Sequence, residues 1–250
     1  FSLFADTASA LIGLDFNVKG EQHLWSHRPA VFIFNHQSKA DVVIVAKLLR
    51  RDIAGIGKKE IKRENPLIGA VMQMGGVVFI DRANAKNAID AISPLVEVMQ
   101  KEGKSVVLAP EGTRTISPKL APFKKGAFHM AMQAGVPLVP IVIRNAGDVA
   151  PKGDFVFRPA TVDVEVLPPV DTSDWTTSNM DEQVREVRNM FAMALGQPEE
   201  QAKAKAKAKA KAKAKAKSKA KAKAKAKAKA KPKTKAKTAA KAKKPRKTAV

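Results

Sequence analysis

The chain has 250 residues, with 46 Lys and Arg against 23 Asp and Glu and no cysteine, which excludes disulfide and thiolate chemistry. The charge is uneven: residues 201–250 hold 22 Lys and one Arg without an acidic residue, so residues 1–200 carry 23 of each sign and the tail carries the whole +23. A neutral body of 200 residues is long enough for one well-buried domain, and no apolar run reaches the roughly 18 residues of a membrane span.

No signal peptide is evident, and the chain opens on Phe1 rather than Met, so it reads as a piece of something longer. Residues 1–14 are apolar with a few small polar residues, which suits either a membrane-facing helix or one packed on the core. Weak alternation over 16–20 predicts a first strand. Pro29 precedes the apolar run 31–34, a second strand. That run stops at Asn35-His36-Gln37-Ser38-Lys39-Ala40-Asp41, and the chain re-enters as a helix over 39–49. His36 falls on the loop at the strand end. Asp41 falls in the first helical turn, where the helix dipole favours a carboxylate. From there it can turn back to an imidazole nitrogen, fix the tautomer and leave the other nitrogen free as a base. A surface or capping pair is the plainer alternative.

Beyond this stretch, residues 53–57 predict a short strand ending at Lys58. An apolar helix runs from Pro66 through Met74 and breaks at Gly75-Gly76. Residues 77–80 read as a buried strand that delivers Asp81 and Arg82. Asn84 is a plausible cap for a helix that buries Ile89, Ile92, Leu95, Val96 and Met99 and stops at Gly103. Pro94 should kink it. A strand over 105–109 ends in Pro110-Glu111-Gly112-Thr113-Arg114. A helix over 126–134, strands over 137–144 and 161–167, and a helix over 180–195 complete the body.

Strands alternating with helices predict an α/β fold, with a mostly parallel or mixed central sheet flanked by helices and a disordered C-terminal tail. The expected units are an N-terminal helix over 1–14, a domain over 15–198 and the tail over 199–250. Polar clusters close consecutive strands, and in open α/β sheets that edge is where sites form.

Four blocks now stand in order: the His-x4-Asp stretch 35–41; Gly76-Val77-Val78-Phe79-Ile80-Asp81-Arg82; Pro110-Glu111-Gly112-Thr113-Arg114; and Val136-Pro137-Leu138-Val139-Pro140. In this set and spacing the body, over roughly 14–170, resembles the glycerolipid acyltransferase family, and within it the bacterial lysophosphatidic acid acyltransferases. The resemblance implies transfer of a fatty acyl group from acyl-CoA or acyl-carrier protein to the free hydroxyl of 1-acyl-glycerol-3-phosphate, with no cofactor and no metal. His36 would be the base and Asp41 its partner. Lys58, Arg82 and Arg114 would hold phosphate, and Glu111, Gly112 and Thr113 would form the acceptor-binding turn. Lys124-Lys125-Gly126 resembles the family's Phe-Lys-x-Gly stretch, or is a solvated helix start. The resemblance also implies a membrane-associated enzyme on the cytoplasmic face of the cell membrane. An acyltransferase on another glycerol-phosphate or lysophospholipid, and a non-enzymatic membrane or DNA tether, are the alternatives.

The residues by themselves leave two roles open for Glu111: holding a glycerol hydroxyl, or bonding loop amides. Ser38 is either a loop residue or a nucleophile, and no Gly-x-Ser-x-Gly elbow supports the second. Ala109 departs from the family pattern, which often has Phe there, and bears on acyl or acceptor preference. Gly103-Lys104-Ser105 lacks the first P-loop glycine, Gly55-Ile56-Gly57 lacks the third dinucleotide glycine, and His23, His27 and His129 fall in no metal-ligand pattern.

From Ala202 to Lys231 lysine and alanine nearly alternate. That spacing places lysines four apart, which opposes a helix, and offers too little apolar surface to order the chain. Its composition resembles the tails of histone-like proteins. Anionic lipid headgroups and nucleic acid both fit as partners. Aromatic residues for stacking on single strands are absent from it.

Overall fold

A computed structural model of the chain describes residues 2–80, 92–114, 119–150 and 156–198, the side chains of Lys58, Ile68 and Val71 aside. In chain order these form α1 (Ser2–Ile12), β1 (Leu14–Lys19), a 3-10 turn (Glu21–Leu24), β2 (Val31–Phe34), α2 (Asp41–Leu49), β3 (Ile53–Lys58), α3 (Lys59–Glu64), α4 (Pro66–Met74), β4 (Val77–Ile80), α5 (Ser93–Glu102), β5 (Ser105–Leu108), α6 (Gly126–Ala134), β6 (Leu138–Ile143), α7 (Ala146–Val149), β7 (Ala160–Val166) and α8 (Met180–Ala194). Residues 199–250 lie outside the described residues, and the tail expectation falls there.

The strands make one seven-stranded mixed sheet in the order β1-β7-β6-β2-β5-β3-β4. The pairs along β6-β2-β5-β3-β4 are all parallel, β7 turns antiparallel against β6, and β1 lies parallel to β7 at the edge. Parallel strands buried on both faces read as continuous apolar runs, as 31–34 and 138–143 do. The two-residue period sorts their side chains. Val31, Ile33, Leu138 and Val142 join Leu95, Met99, Phe128 and Phe191 in a core under α5, α6 and α8. Phe32, Phe34, Val139, Ile141 and Ile143 face the opposite core, with Ile44, Leu48 and Leu49 of α2. Helices thus cover both faces of the sheet, the architecture expected of the sequence.

Three local expectations change. Pro94 lies in the first turn of α5, where its missing N–H is an unpaired group in any helix, so it starts the helix rather than kinking it. The helix expected from residue 39 begins at Asp41, because the carboxylate is engaged in turning the preceding loop. The short helix α3, not anticipated, buries no residue and so carries no apolar stripe to reveal it. Asn84 and Ile89 lie outside the described residues. α1 packs on α2, with Ala5 buried and an Asp6–Lys47 ion pair between the two helices, while Leu3, Phe4 and Leu11 are exposed.

β2 is released from the sheet by one side chain. The Asn35 amide donates from Nδ2 to Ile143 O at 2.7 Å and accepts Ile143 N–H on Oδ1 at 2.8 Å, extending the β2–β6 ladder while the backbone turns away. Both residues are buried, so Asn35→Ala leaves a peptide N–H and a C=O without partners, at about 1–3 kcal/mol each. The expected loss in urea unfolding is on the order of 2–4 kcal/mol.

Candidate active site

With β2 ended at Phe34, the next six residues form a tight loop, and its fold is set by hydrogen bonds to the side chain of Asp41. Oδ2 of Asp41 accepts Gln37 N–H at 2.8 Å and Ser38 N–H at 2.9 Å. The same oxygen lies 2.8 Å from His36 Nδ1. An oxygen that already accepts two amide protons carries none of its own, so Nδ1 is the donor and the neutral imidazole keeps its lone pair on Nε2. Asp41 is fully buried, whereas the His36 side chain is 20% exposed. Phe34 meets the imidazole edge-on, with centroids 5.6 Å apart, and further limits the ring. Ser38 donates from Oγ to Ala150 O at 2.7 Å and accepts Ala40 N–H at 3.0 Å. It is fully buried, in a loop-fixing position and not in a nucleophile's.

Because β2 and β5 are parallel neighbours, the loop after β5 arrives beside the His36 loop. Glu111 bridges them. Oε1 accepts His36 N–H at 2.8 Å and Oε2 accepts Ala121 N–H at 3.0 Å. Both oxygens of this buried carboxylate thus bond loop amides, the second of the two roles the sequence left open. Gly112 follows with a φ of +73°, a conformation that suits glycine, and a Cβ there would lie 2.7 Å from Lys124 Nζ. Lys124 is thereby laid across the turn at the end of β5.

Between α2, β3, β4 and β5 lies a cleft of about 310 Å³ lined mainly by apolar side chains, among them Phe34, Val45, Ile56, Met72 and Leu108, with His36 and Gly112 in its wall. Ala109 lines it too, where the family pattern often carries Phe. Of the other expected residues, Lys58 ends β3 and Thr113 and Arg114 follow Gly112 after β5, so these two adjacent parallel strands bring them to the edge of the sheet where His36 follows β2. Arg82 lies outside the described residues. The partner of Asn35, the Glu111 bridge to His36 and the contact of Ala121 with Arg188 went unread, since these partners lie 108, 75 and 67 residues away.

Burial is the largest influence on Glu111 and pushes its pKa up, against the weaker opposing effect of the hydrogen bonds from the His36 and Ala121 amides. A carboxyl with a higher pKa folded than unfolded holds more protons in the folded state between the two values. Its contribution to stability is full below the unfolded pKa and is lost as pH rises through the folded one. Glu111→Gln removes this titration. The stability gap between wild type and variant should therefore be widest at acid pH and narrow as pH rises, in urea unfolding between about pH 4 and pH 7.

A family model described as Acyltransferase matches residues 15–144. A 1-acyl-sn-glycerol-3-phosphate acyltransferase of Limnanthes alba is 33% identical over 185 residues, 74% of this chain and 65% of that protein. The 1-acyl-sn-glycerol-3-phosphate acyltransferase beta of Homo sapiens is 35% identical over 192 residues, 75% of this chain and 69% of that protein. The crystal structure of the 1-acyl-sn-glycerophosphate (LPA) acyltransferase from Thermotoga maritima has a TM-score of 0.63 at 24% identity, covers 78% of each chain and shows the same fold. The chain spans about 65% of the length of the Limnanthes relatives. A buried carboxylate oriented on an imidazole at the sheet edge thus coincides with a family match over the same residues, and the chain belongs to the acyltransferase family.

Proposed function

We propose that this chain acylates the free hydroxyl of 1-acyl-glycerol-3-phosphate, giving phosphatidic acid, with acyl-CoA or acyl-carrier protein as donor. The observation that carries this reading is the 2.8 Å contact from His36 Nδ1 to the buried Asp41 in the wall of an apolar cleft. Nε2 takes the proton of the acceptor hydroxyl as its oxygen attacks the thioester carbonyl. Collapse of the tetrahedral adduct breaks the carbon–sulfur bond, and the imidazolium returns the proton to the leaving thiolate. Asp41 holds the tautomer and stabilises the imidazolium, as the carboxylate of a Ser-His-Asp triad does, with the substrate alcohol in place of serine. No cofactor enters the scheme.

The apolar cleft supports an acyl chain as the group bound next to His36. Lys58, Arg82 and Arg114 would hold the acceptor phosphate, Arg through bidentate contacts, with Gly112 and Thr113 beside them. Family relatives named for 1-acyl-sn-glycerol-3-phosphate favour this acceptor over other lysophospholipids. His36→Ala should lower acyl transfer from acyl-CoA to lysophosphatidic acid on the order of 10²–10⁴-fold in a purified assay. Substantial turnover by that variant would sink the assignment.

Association with the cytoplasmic face of the cell membrane belongs to the same proposal. Among the described residues no helix is long and apolar enough to cross a membrane. The outward Leu3, Phe4 and Leu11 of α1 and the lysines of 201–250 offer a peripheral contact instead, apolar and electrostatic together. Each lysine near an anionic surface adds about 1 kcal/mol, with diminishing returns. Nucleic acid is the other polyanion the tail suits. Deleting 199–250 should weaken sedimentation with phosphatidylglycerol vesicles at low salt and remove most of its salt dependence. Equal sedimentation of the two chains, with DNA retained by the full chain alone, would assign the tail to nucleic acid.

A further inference from the structure

The amide that sets His36 is held from a helix beyond the family-matched residues. Glu111 Oε2 takes its hydrogen bond from Ala121 N–H, and that N–H belongs to the peptide unit whose carbonyl is Leu120 O. Arg188 of α8 donates from Nη2 to this same Leu120 O at 2.9 Å, and from Nε to Ala121 O at 3.2 Å. Gln197, just past α8, accepts Leu120 N–H on Oε1 at 2.9 Å. The Leu120–Ala121 peptide is planar and stiff, so a guanidinium fixed on its oxygen fixes its N–H as well. Donation to the carbonyl also polarises the amide and strengthens the bond it makes to Glu111.

We propose that Arg188 is a positioning residue for acyl transfer, acting through the Leu120–Ala121 peptide and Glu111 on the His36 loop; this rests on the acyl-transfer reading above. Arg188 is 7% exposed, on a helix whose neighbouring Val187 and Phe191 are core residues. A buried guanidinium is costly without hydrogen-bonding partners, and a methionine would pack the same space without that cost. The arginine's bonds to two successive carbonyls hold residues 120–121, which lie in neither helix nor strand, against α8. The polar path then runs Arg188, Leu120 O, Ala121 N–H, Glu111, His36 N–H, ending on the residue whose imidazole faces Asp41.

The test is a double-mutant cycle of Arg188→Met and Glu111→Gln, with kcat and KM for lysophosphatidic acid and ¹⁵N-histidine NMR of the His36 ring. Arg188→Met should lower kcat about ten- to a hundredfold, as small displacements of a catalytic group do, with KM changed less than about twofold. The double variant should be no slower than Glu111→Gln alone, because both act along one path. Arg188→Lys, which retains a donor for Leu120 O, should recover part of kcat. If Arg188→Met does not fold, Arg188→Lys and Gln197→Ala are measured in the same cycle. Losses that multiply in the double variant, or a folded Arg188 variant with wild-type kcat, would overturn the proposal. Should the wild type transfer no acyl group to lysophosphatidic acid, the functional reading fails and the NMR arm decides the coupling. There the His36 Nδ1–H resonance moves in the Arg188 variants as it does in Glu111→Gln, and an unmoved resonance refutes the path.

Discussion

One buried oxygen, Asp41 Oδ2, is the point on which the site depends. It accepts the His36 imidazole N–H and the amide N–H groups of Gln37 and Ser38 within 2.9 Å. A carboxylate fully removed from water is costly unless several donors replace the water it lost. Here the donors come from the loop that carries His36, so the bonds that compensate the buried charge are the ones that shape the loop. The arrangement selects the Nδ1–H tautomer and starts α2 in the same step.

The sheet brings the rest to that oxygen. Strands β2, β5 and β3 lie side by side and parallel, so the segments that follow them share one edge. Asn35 ends β2 by mimicking one more residue of ladder against Ile143, and Glu111 ties the β5 loop to the amide of His36. Each of these polar side chains is buried with its hydrogen bonds made, which turns a loop into a rigid support. Apolar side chains of α2, α4 and the strands line the space in front of His36. On the proposed reading, an acyl chain entering there would desolvate few polar groups, and the low polarity would strengthen the pull of Asp41 on an imidazolium.

Charge divides the chain along its length. The formally neutral first 200 residues can pack as a compact body without self-repulsion, while the 23 cations beyond them have no acidic residue among them. Attraction to an anionic surface through such a segment is long-ranged at low salt and screened within about 8–10 Å near physiological ionic strength.

Much of the fold was legible in the residues, because local rules decide those parts. Continuous apolar runs marked 31–34, 77–80 and 137–144 as strands, although the run 77–80, read as buried, lies at the sheet edge with Ile80 alone of its residues buried, and Gly103 marked a helix end. His36 and Asp41 lie five residues apart on a strand–loop–helix, so their approach follows from local geometry. Where the deciding partner was distant, sequence had no such rule. Glu111 could have faced substrate or backbone, and the choice fell to two amides, His36 N–H from 75 residues back and Ala121 N–H from ten ahead. Pro94 could have kinked a helix or begun one, depending on where α5 starts. Arg188 reads as one more charge on an amphipathic helix, and only the packing of α8 against the Leu120–Ala121 loop gives its guanidinium a carbonyl to hold. Patterning determined the elements and the imidazole–carboxylate pair; the long-range pairing of strands and loops determined which buried polar groups meet, since a hydrogen bond is chosen by proximity in space and not by spacing along the chain.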